Sequence, residues 1–454
     1  MRKLIGSMLL LSALSACNTQ SSSNTAKTND STMQQSTGKE WIKHTNIYEV
    51  NVRQYTREGT FNAFVNELPR LKKMGVHTLW FMPITPIAKK NMKGVMGSPY
   101  AASDYTAINP EFGTLEDFKN LVKAAHGQGF KVIIDWVANH TGWDHRWTTE
   151  HPDWYLKDSA TNDFKIASGM DDIIELDFKN TAMRRAMIDA MKFWVQEAGI
   201  DGFRCDLASW VEVDFWIEAK KDLDGVKPLF WLAELDPLEN PDYMQVFDAA
   251  YTWTWMHKTR EFYQQGQTVS SLDSVLNRYQ QIPGTKAWFT TNHDENSWNG
   301  TEYEKYGDAA KALAVFSVTW KGVPLIYSGQ ELPNHKRLKF FEKDPIEWNG
   351  KYEMAGFYKT LFHLKTNHPA LHADADVQRI ATNHDEQVLA YLRKSGNREV
   401  LVLMNLSNQS NLNVDLNQAP ASGMYRNVFT GAAFDFNANK QVVLQPWEYL
   451  VFEK

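Results

Sequence analysis

Eight short runs of β-branched and aromatic residues, mostly separated by stretches of helical period, limit what this chain can fold into. Residues 47–52 (IYEVNV), 77–82 (HTLWFM), 131–137 (KVIIDWV) and 200–207 read as strands. So do residues 230–235, 249–253, 287–291 and 324–327. Between the first two, Phe61, Phe64, Val65, Leu68, Leu71 and Met74 recur at helical spacing, which predicts one helix over 61–74. Residues 115–128 and 182–198 repeat the pattern. Strands that alternate with helices make a parallel sheet, because each helix carries the chain back to start the next strand in the same direction. Eight of them predict an α/β fold, a closed (β/α)8 TIM barrel over residues 40–370, with a doubly wound open sheet as the alternative.

Two segments stand outside that rhythm. Residues 141–180, after the third strand, form a long connection rich in Trp, Asp and His, and are expected to be a short inserted domain. Beyond about residue 370 the helical period disappears. Alternating runs broken by Gly, Asn and Pro (387–392, 400–406, 411–416, 425–429, 441–444) predict a C-terminal antiparallel β-sandwich over 371–454.

The first forty residues differ again. Arg2 and Lys3 precede an apolar stretch over 4–13 that is too short to span a bilayer. Leu14-Ser15-Ala16-Cys17 follows, and resembles the bacterial lipoprotein box. That resemblance implies a signal peptide over 1–16, lipid on the Cys17 thiol, and an exported protein held at a membrane, periplasmic or on the cell surface. Residues 17–39 are polar and would serve as a tether, since they carry too little apolar surface to fold. With Cys17 lipidated, Cys205 is left without a disulfide partner, and the fold must rest on its core.

A net charge of −6 without a basic run argues against nucleic acid as a partner. The chemistry is expected where a barrel places it, at the carboxyl ends of the strands. The third run ends in Asp135-Trp136-Val137-Ala138-Asn139-His140, the fourth in Arg204-Cys205-Asp206, the fifth in Glu234 and the seventh in Asn292-His293-Asp294. Charged groups directly after apolar strands are costly unless they pair, so these ends should converge on one mouth. Arg204 and Asp206, two apart on one strand, point the same way, and the guanidinium should hold the Asp206 carboxyl down.

Those four ends, DWVANH (135–140), GFRCDLAS (202–209), WLAEL (231–235) and FTTNHDE (289–295), resemble in order the signature regions of the α-amylase family of glycoside hydrolases. SPYAASDY (98–105), NPEFGT (109–114) and VPLIYSGQE (323–331) extend the resemblance over residues 41–454. It implies a retaining hydrolase of α-1,4-glucosidic bonds in starch, glycogen or maltooligosaccharides. Asp206 would be the nucleophile, Glu234 the general acid/base with a raised pKa, and Asp294 the third acid that binds sugar hydroxyls. Tyr100, His140, Arg204 and His293 would contact the sugar or tune the acids.

The family also includes transglycosylases, cyclomaltodextrinases and α-1,6-acting enzymes that share the same trio, and these readings stay open. A sugar-binding lipoprotein without activity is a more distant alternative, since members of that kind lack part of the trio. Ser209-Trp210 stands where many α-amylases carry Lys-His, which separates this chain from a plain endo-amylase. Asn139 matches a position that binds structural calcium in many relatives, and Glu175 is a second candidate ligand, so calcium is left open. No organic cofactor is expected. Residues 53–60 (RQYTREGT) lack a second calcium loop seen in some relatives, and oligomeric state is not legible.

Overall fold

The computed structural model describes residues 38–417 and 419–454, so the expected signal, Cys17 and nearly all of the tether lie outside the described residues. Eight parallel strands close into a barrel: β1 (Ile47–Val50), β2 (Thr78–Phe81), β3 (Lys131–Trp136), β4 (Gly202–Cys205), β5 (Phe230–Ala233), β6 (Ala249–Tyr251), β7 (Thr285–Trp288) and β8 (Val323–Tyr327). Each strand pairs with its neighbour in sequence, and β8 returns to β1 through Ile47 opposite Leu325. The open-sheet alternative is thereby set aside.

Period-two alternation divides every strand between two cores. Ile47, Trp80, Ile133, Phe230, Leu232, Tyr251 and Leu325 fill the barrel interior. Their neighbours Tyr48, Leu79, Ile134, Phe203, Trp231 and Trp288 point outward into the layer beneath the helices. Cys205 belongs to the outer set, a free thiol packed in the barrel wall. Arg204, between outward-facing Phe203 and Cys205, therefore turns inward. Gly202 opens β4 because a Cβ there would lie 2.1 Å from the Phe230 carbonyl oxygen, so only glycine lets β4 and β5 approach at this point.

Two expectations need correction in detail. The helix over 61–74 is two, Phe61–Val65 and Leu68–Met74, because the chain breaks at Asn66-Glu67 and restarts with Pro69 in the first turn. The strand over 287–291 is β7, which begins and ends earlier. Its second residue is Lys286, whose ammonium donates to the Gly284 carbonyl 2.9 Å away, so a charged residue is tolerated in the strand.

The inserted segment folds as a three-stranded antiparallel sheet, with Met170–Glu175 between His140–Gly142 and Ile166–Ala167. The C-terminal segment forms a six-stranded antiparallel sheet and a two-stranded one, Leu412–Asp415 with Gln441–Leu444. Their inner faces meet through Ala390, Leu401 and Leu403 on one side and Val414 and Leu444 on the other, which gives a sandwich core. Arg393 ties this domain to the barrel by donating to the Thr319 carbonyl at the end of the helix before β8. No helix among the described residues is long and apolar enough to cross a membrane.

Candidate active site

The strand ends meet at the carboxyl mouth of the barrel around one guanidinium. Arg204, fully buried, donates from Nη1 to Asp135 Oδ1 and to Asp206 Oδ1, both at 2.8 Å. Its Nη2 lies 2.8 Å from Glu234 Oε2. The strand register explains this convergence: Arg204 is opposite Asp135 on β3 and opposite Leu232 on β5, two residues before Glu234. The Leu207 amide, where the chain turns through a left-handed conformation (φ 41°), also donates to Glu234 Oε2 at 2.9 Å.

His293 and Tyr100 form the second half of the site. Their rings stack with centroids 5.4 Å apart and planes 16° off parallel. The Tyr100 hydroxyl donates to Asp135 Oδ2 at 3.0 Å and lies 2.8 Å from His293 Nε2. That nitrogen is also 3.2 Å from Asp294 Oδ2, and Nδ1 is 2.5 Å from Glu49 Oε1. His140 is buried in the same cleft, and its Nε2 has no protein partner. A cleft of about 420 Å³ opens over Asp206, Glu234 and Asp294.

The electrostatics divide the groups by state. Burial raises Glu234 to about 7, against the pull of Arg204 and with help from Asp206 and Asp294. Burial also raises Asp206 to about 6, with Arg204 opposing and Asp135 adding to the rise. The guanidinium was expected to hold Asp206 down; it pulls in that direction, but desolvation and the second aspartate outweigh it. Asp294 is the most exposed of the three, and although burial opposes it, the adjacent His293 keeps it below its ordinary value. His293 stays well above its usual range despite burial, because Asp294 and Glu49 flank it. Burial alone lowers His140 to about 4, so it is a neutral imidazole.

The structure thus brings together Tyr100, His140, Arg204, Asp206, Glu234, His293 and Asp294. It adds Glu49, for which the sequence suggested no role, and sets Asp135, one of the strand-end acids, between Arg204 and Tyr100. Glu49 sits inside the apolar run IYEV, and its one signal was a lone acid where burial is costly. Trp210, on the loop after β4, is 42% exposed.

Asn139 and Glu175 do lie close, since the Asn139 carbonyl accepts from the Leu176 amide and His140 pairs with Glu175. As a calcium set they do not fit. The Lys165 ammonium is ion-paired with the Glu175 carboxylate, the place a cation would take. Among the described residues no three His, Cys, Asp or Glu side chains gather where they could hold a metal ion.

Acidic groups held by one arginine at the carboxyl mouth of a closed barrel define a barrel hydrolase acting through paired carboxyls. Comparison with known proteins narrows the class. The family described as Alpha amylase, catalytic domain matches residues 25–170 and 151–281, and Maltogenic Amylase, C-terminal domain matches residues 379–451. The chain belongs to the α-amylase family of glycoside hydrolases. It is similar to Alpha-amylase 2 of Dictyoglomus thermophilum, 24% identical over 436 residues that cover 86% of this chain and 73% of the relative. Alpha-amylase MalA of Haloarcula japonica is 30% identical over 393 residues, 81% of this chain and 56% of that protein. Among solved structures, a noncanonic maltogenic α-amylase, AmyB, from Thermotoga neapolitana superposes with a TM-score of 0.80 at 30% identity, covering 91% of this chain and 97% of the other. An α-amylase from Lactobacillus plantarum gives a TM-score of 0.82 at 29% identity, covering 91% of this chain and 100% of the other.

Proposed function

We propose that this chain hydrolyses α-1,4-glucosidic bonds of starch, glycogen or maltooligosaccharides with retention at the anomeric carbon. The observation that carries this reading is Arg204, whose guanidinium meets Asp206 through one nitrogen and Glu234 through the other. Sharing one small group supports the short carboxyl separation of retaining enzymes, ~5–5.5 Å, over the ~6.5–9.5 Å that leaves room for a water in inverting ones.

In the first step the Asp206 carboxylate attacks the anomeric carbon while Glu234 gives its proton to the departing glycosidic oxygen. A glucosyl ester on Asp206 results. In the second, Glu234, now a carboxylate, takes a proton from water, which attacks the same carbon and frees Asp206. Asp294 accepts hydrogen bonds from the sugar hydroxyls and the neutral His140 offers them its unpartnered Nε2, while His293, engaged on one side by Glu49 and on the other by Tyr100 and Asp294, holds the Asp294 carboxylate in place. Asp135 helps fix Arg204, so the guanidinium faces the nucleophile in one orientation.

Glu234→Gln and Asp206→Asn are each expected to abolish release of reducing ends from soluble starch while leaving the fold intact. Near-normal turnover in either would overturn the roles. Transglycosylation to sugar acceptors is a second reading, favoured by the exposed indole of Trp210 on the loop whose Leu207 and Ala208 amides donate to Glu234, an aromatic face on which a leaving or accepting sugar would stack. Product profiles from starch, pullulan and cyclodextrins separate these reactions. The exported, lipid-anchored location rests on residues 1–39 alone, and a Cys17→Ser variant recovered from the soluble fraction would support it.

A further inference from the structure

Lys93, Asp172 and Phe341, from three separate segments of the chain, line the cleft and are tied into an arch. Lys93, in the loop after β2, ion-pairs with Asp172 at 2.9 Å and Asp171 at 3.1 Å on the inserted sheet. The same loop meets the insert again through Asp144, whose carboxylate accepts from the Lys89 and Lys90 amides. At its other end the Met96 amide donates to the Phe341 carbonyl at 2.9 Å, in the loop after β8. Gly94 permits this contact, since a Cβ there would lie 2.5 Å from that of Phe341. Arg53 secures the arch from below by donating to the Gly97 carbonyl at 3.2 Å.

The barrel order says which end of the substrate this arch faces. Glu234 follows β5, and the strand diametrically opposite in the closed ring is β1, flanked by β2 and β8. A general acid protonates the leaving oxygen, so the departing part of the chain lies on its own side. Two of the arch's three pieces, the loops after β2 and β8, stand on the other side, where the non-reducing portion must lie, and the insert after β3 joins them through Asp172. Its inner wall is aromatic: Phe340 stacks on Tyr100 at 6.1 Å and 17°, and Trp298, 53% exposed, packs on Phe340 at 5.4 Å.

We infer that the arch of Lys93, Asp172 and Phe341 closes the non-reducing end of the cleft, so that the enzyme releases short products of fixed length from chain ends rather than cutting within chains. This rests on the proposed hydrolase reading and adds direction and product length to it. The wall of Phe340 and Trp298 would stack on the terminal sugar and set how many units fit.

The test uses the full chain and maltooligosaccharides, maltotetraose through maltoheptaose, labelled at the reducing end. One unlabelled product length, released from every substrate, is expected, and amylose should keep its iodine colour while reducing ends accumulate. Unlabelled products of many lengths, with early loss of iodine colour, would overturn the inference and leave the hydrolase reading standing. Absence of any cleavage would instead remove the hydrolase reading beneath it. Lys93→Ala, at a partly exposed position, should raise the ratio of internal to terminal cleavage roughly 3- to 5-fold, the scale of one ion pair near the surface. An unchanged ratio would show that the bridge does not hold the cleft closed.

Discussion

Glu49 Oε1 lies 2.5 Å from His293 Nδ1, so a hydrogen bond joins the end of β1 to the loop after β7 inside the barrel mouth. The carboxylate orients the imidazolium, whose other nitrogen faces Tyr100 and Asp294. Glu49→Gln should therefore lower kcat/KM roughly 10- to 100-fold, the equivalent of about 1.5–3 kcal/mol for a hydrogen bond to a charged group. Removing the negative charge also lowers the His293 pKa, so its loss of a proton should cut activity at a less alkaline pH. Glu49→Asp should restore part of both effects. A pH–rate profile that keeps its shape in Glu49→Gln would reduce Glu49 to a packing role.

The two carboxyls at Arg204 predict a narrow bell for kcat/KM. Activity rises as pH passes about 6, where Asp206 becomes a nucleophilic carboxylate, and falls as pH passes about 7, where Glu234 loses the proton it must donate. The two limbs belong to the pair, since each charge feels the other. A substrate with an activated leaving group, which needs no protonation, should lose the alkaline limb in its glycosylation step. Persistence of that limb under single-turnover conditions would mean that another group controls it.

The Lys165–Glu175 ion pair predicts indifference to calcium. Adding a chelator should leave the thermal midpoint in place, and Lys165→Ala should lower stability by about 1 kcal/mol or less, as expected for a half-exposed pair. A wild-type midpoint that climbs with added calcium would show instead that the ion displaces the ammonium.

The barrel was legible because the strands are short, apolar and mostly followed by helices, and its chemistry because the acids come directly after those strands. Asp206, Glu234 and Asp294 needed no long-range information beyond the rule that strand ends meet. Glu49 was hidden by its position inside a strand, where one acid among Ile, Tyr and Val looks like an interruption. The break between Phe64 and Leu68 hid in a continuous apolar stripe, although Pro69 marked it. Lys93, Asp172 and Phe341 could not be joined in advance. Lys93 and Phe341 sit in loops without periodicity and Asp172 in a short strand of the insert, and only the closed ring sets the three segments side by side.

That ring gives the arch a dependence the catalytic acids do not share. Two of its pieces follow the second and eighth strands, and these are neighbours only across the seam where the first strand meets the last. Partial opening of that seam would separate the wall before it disturbed Arg204, which is held among the third, fourth and fifth strands. Heated or mutated protein should therefore grow indiscriminate about where it cuts before it stops cutting, which makes product length a gauge of whether the cylinder is shut.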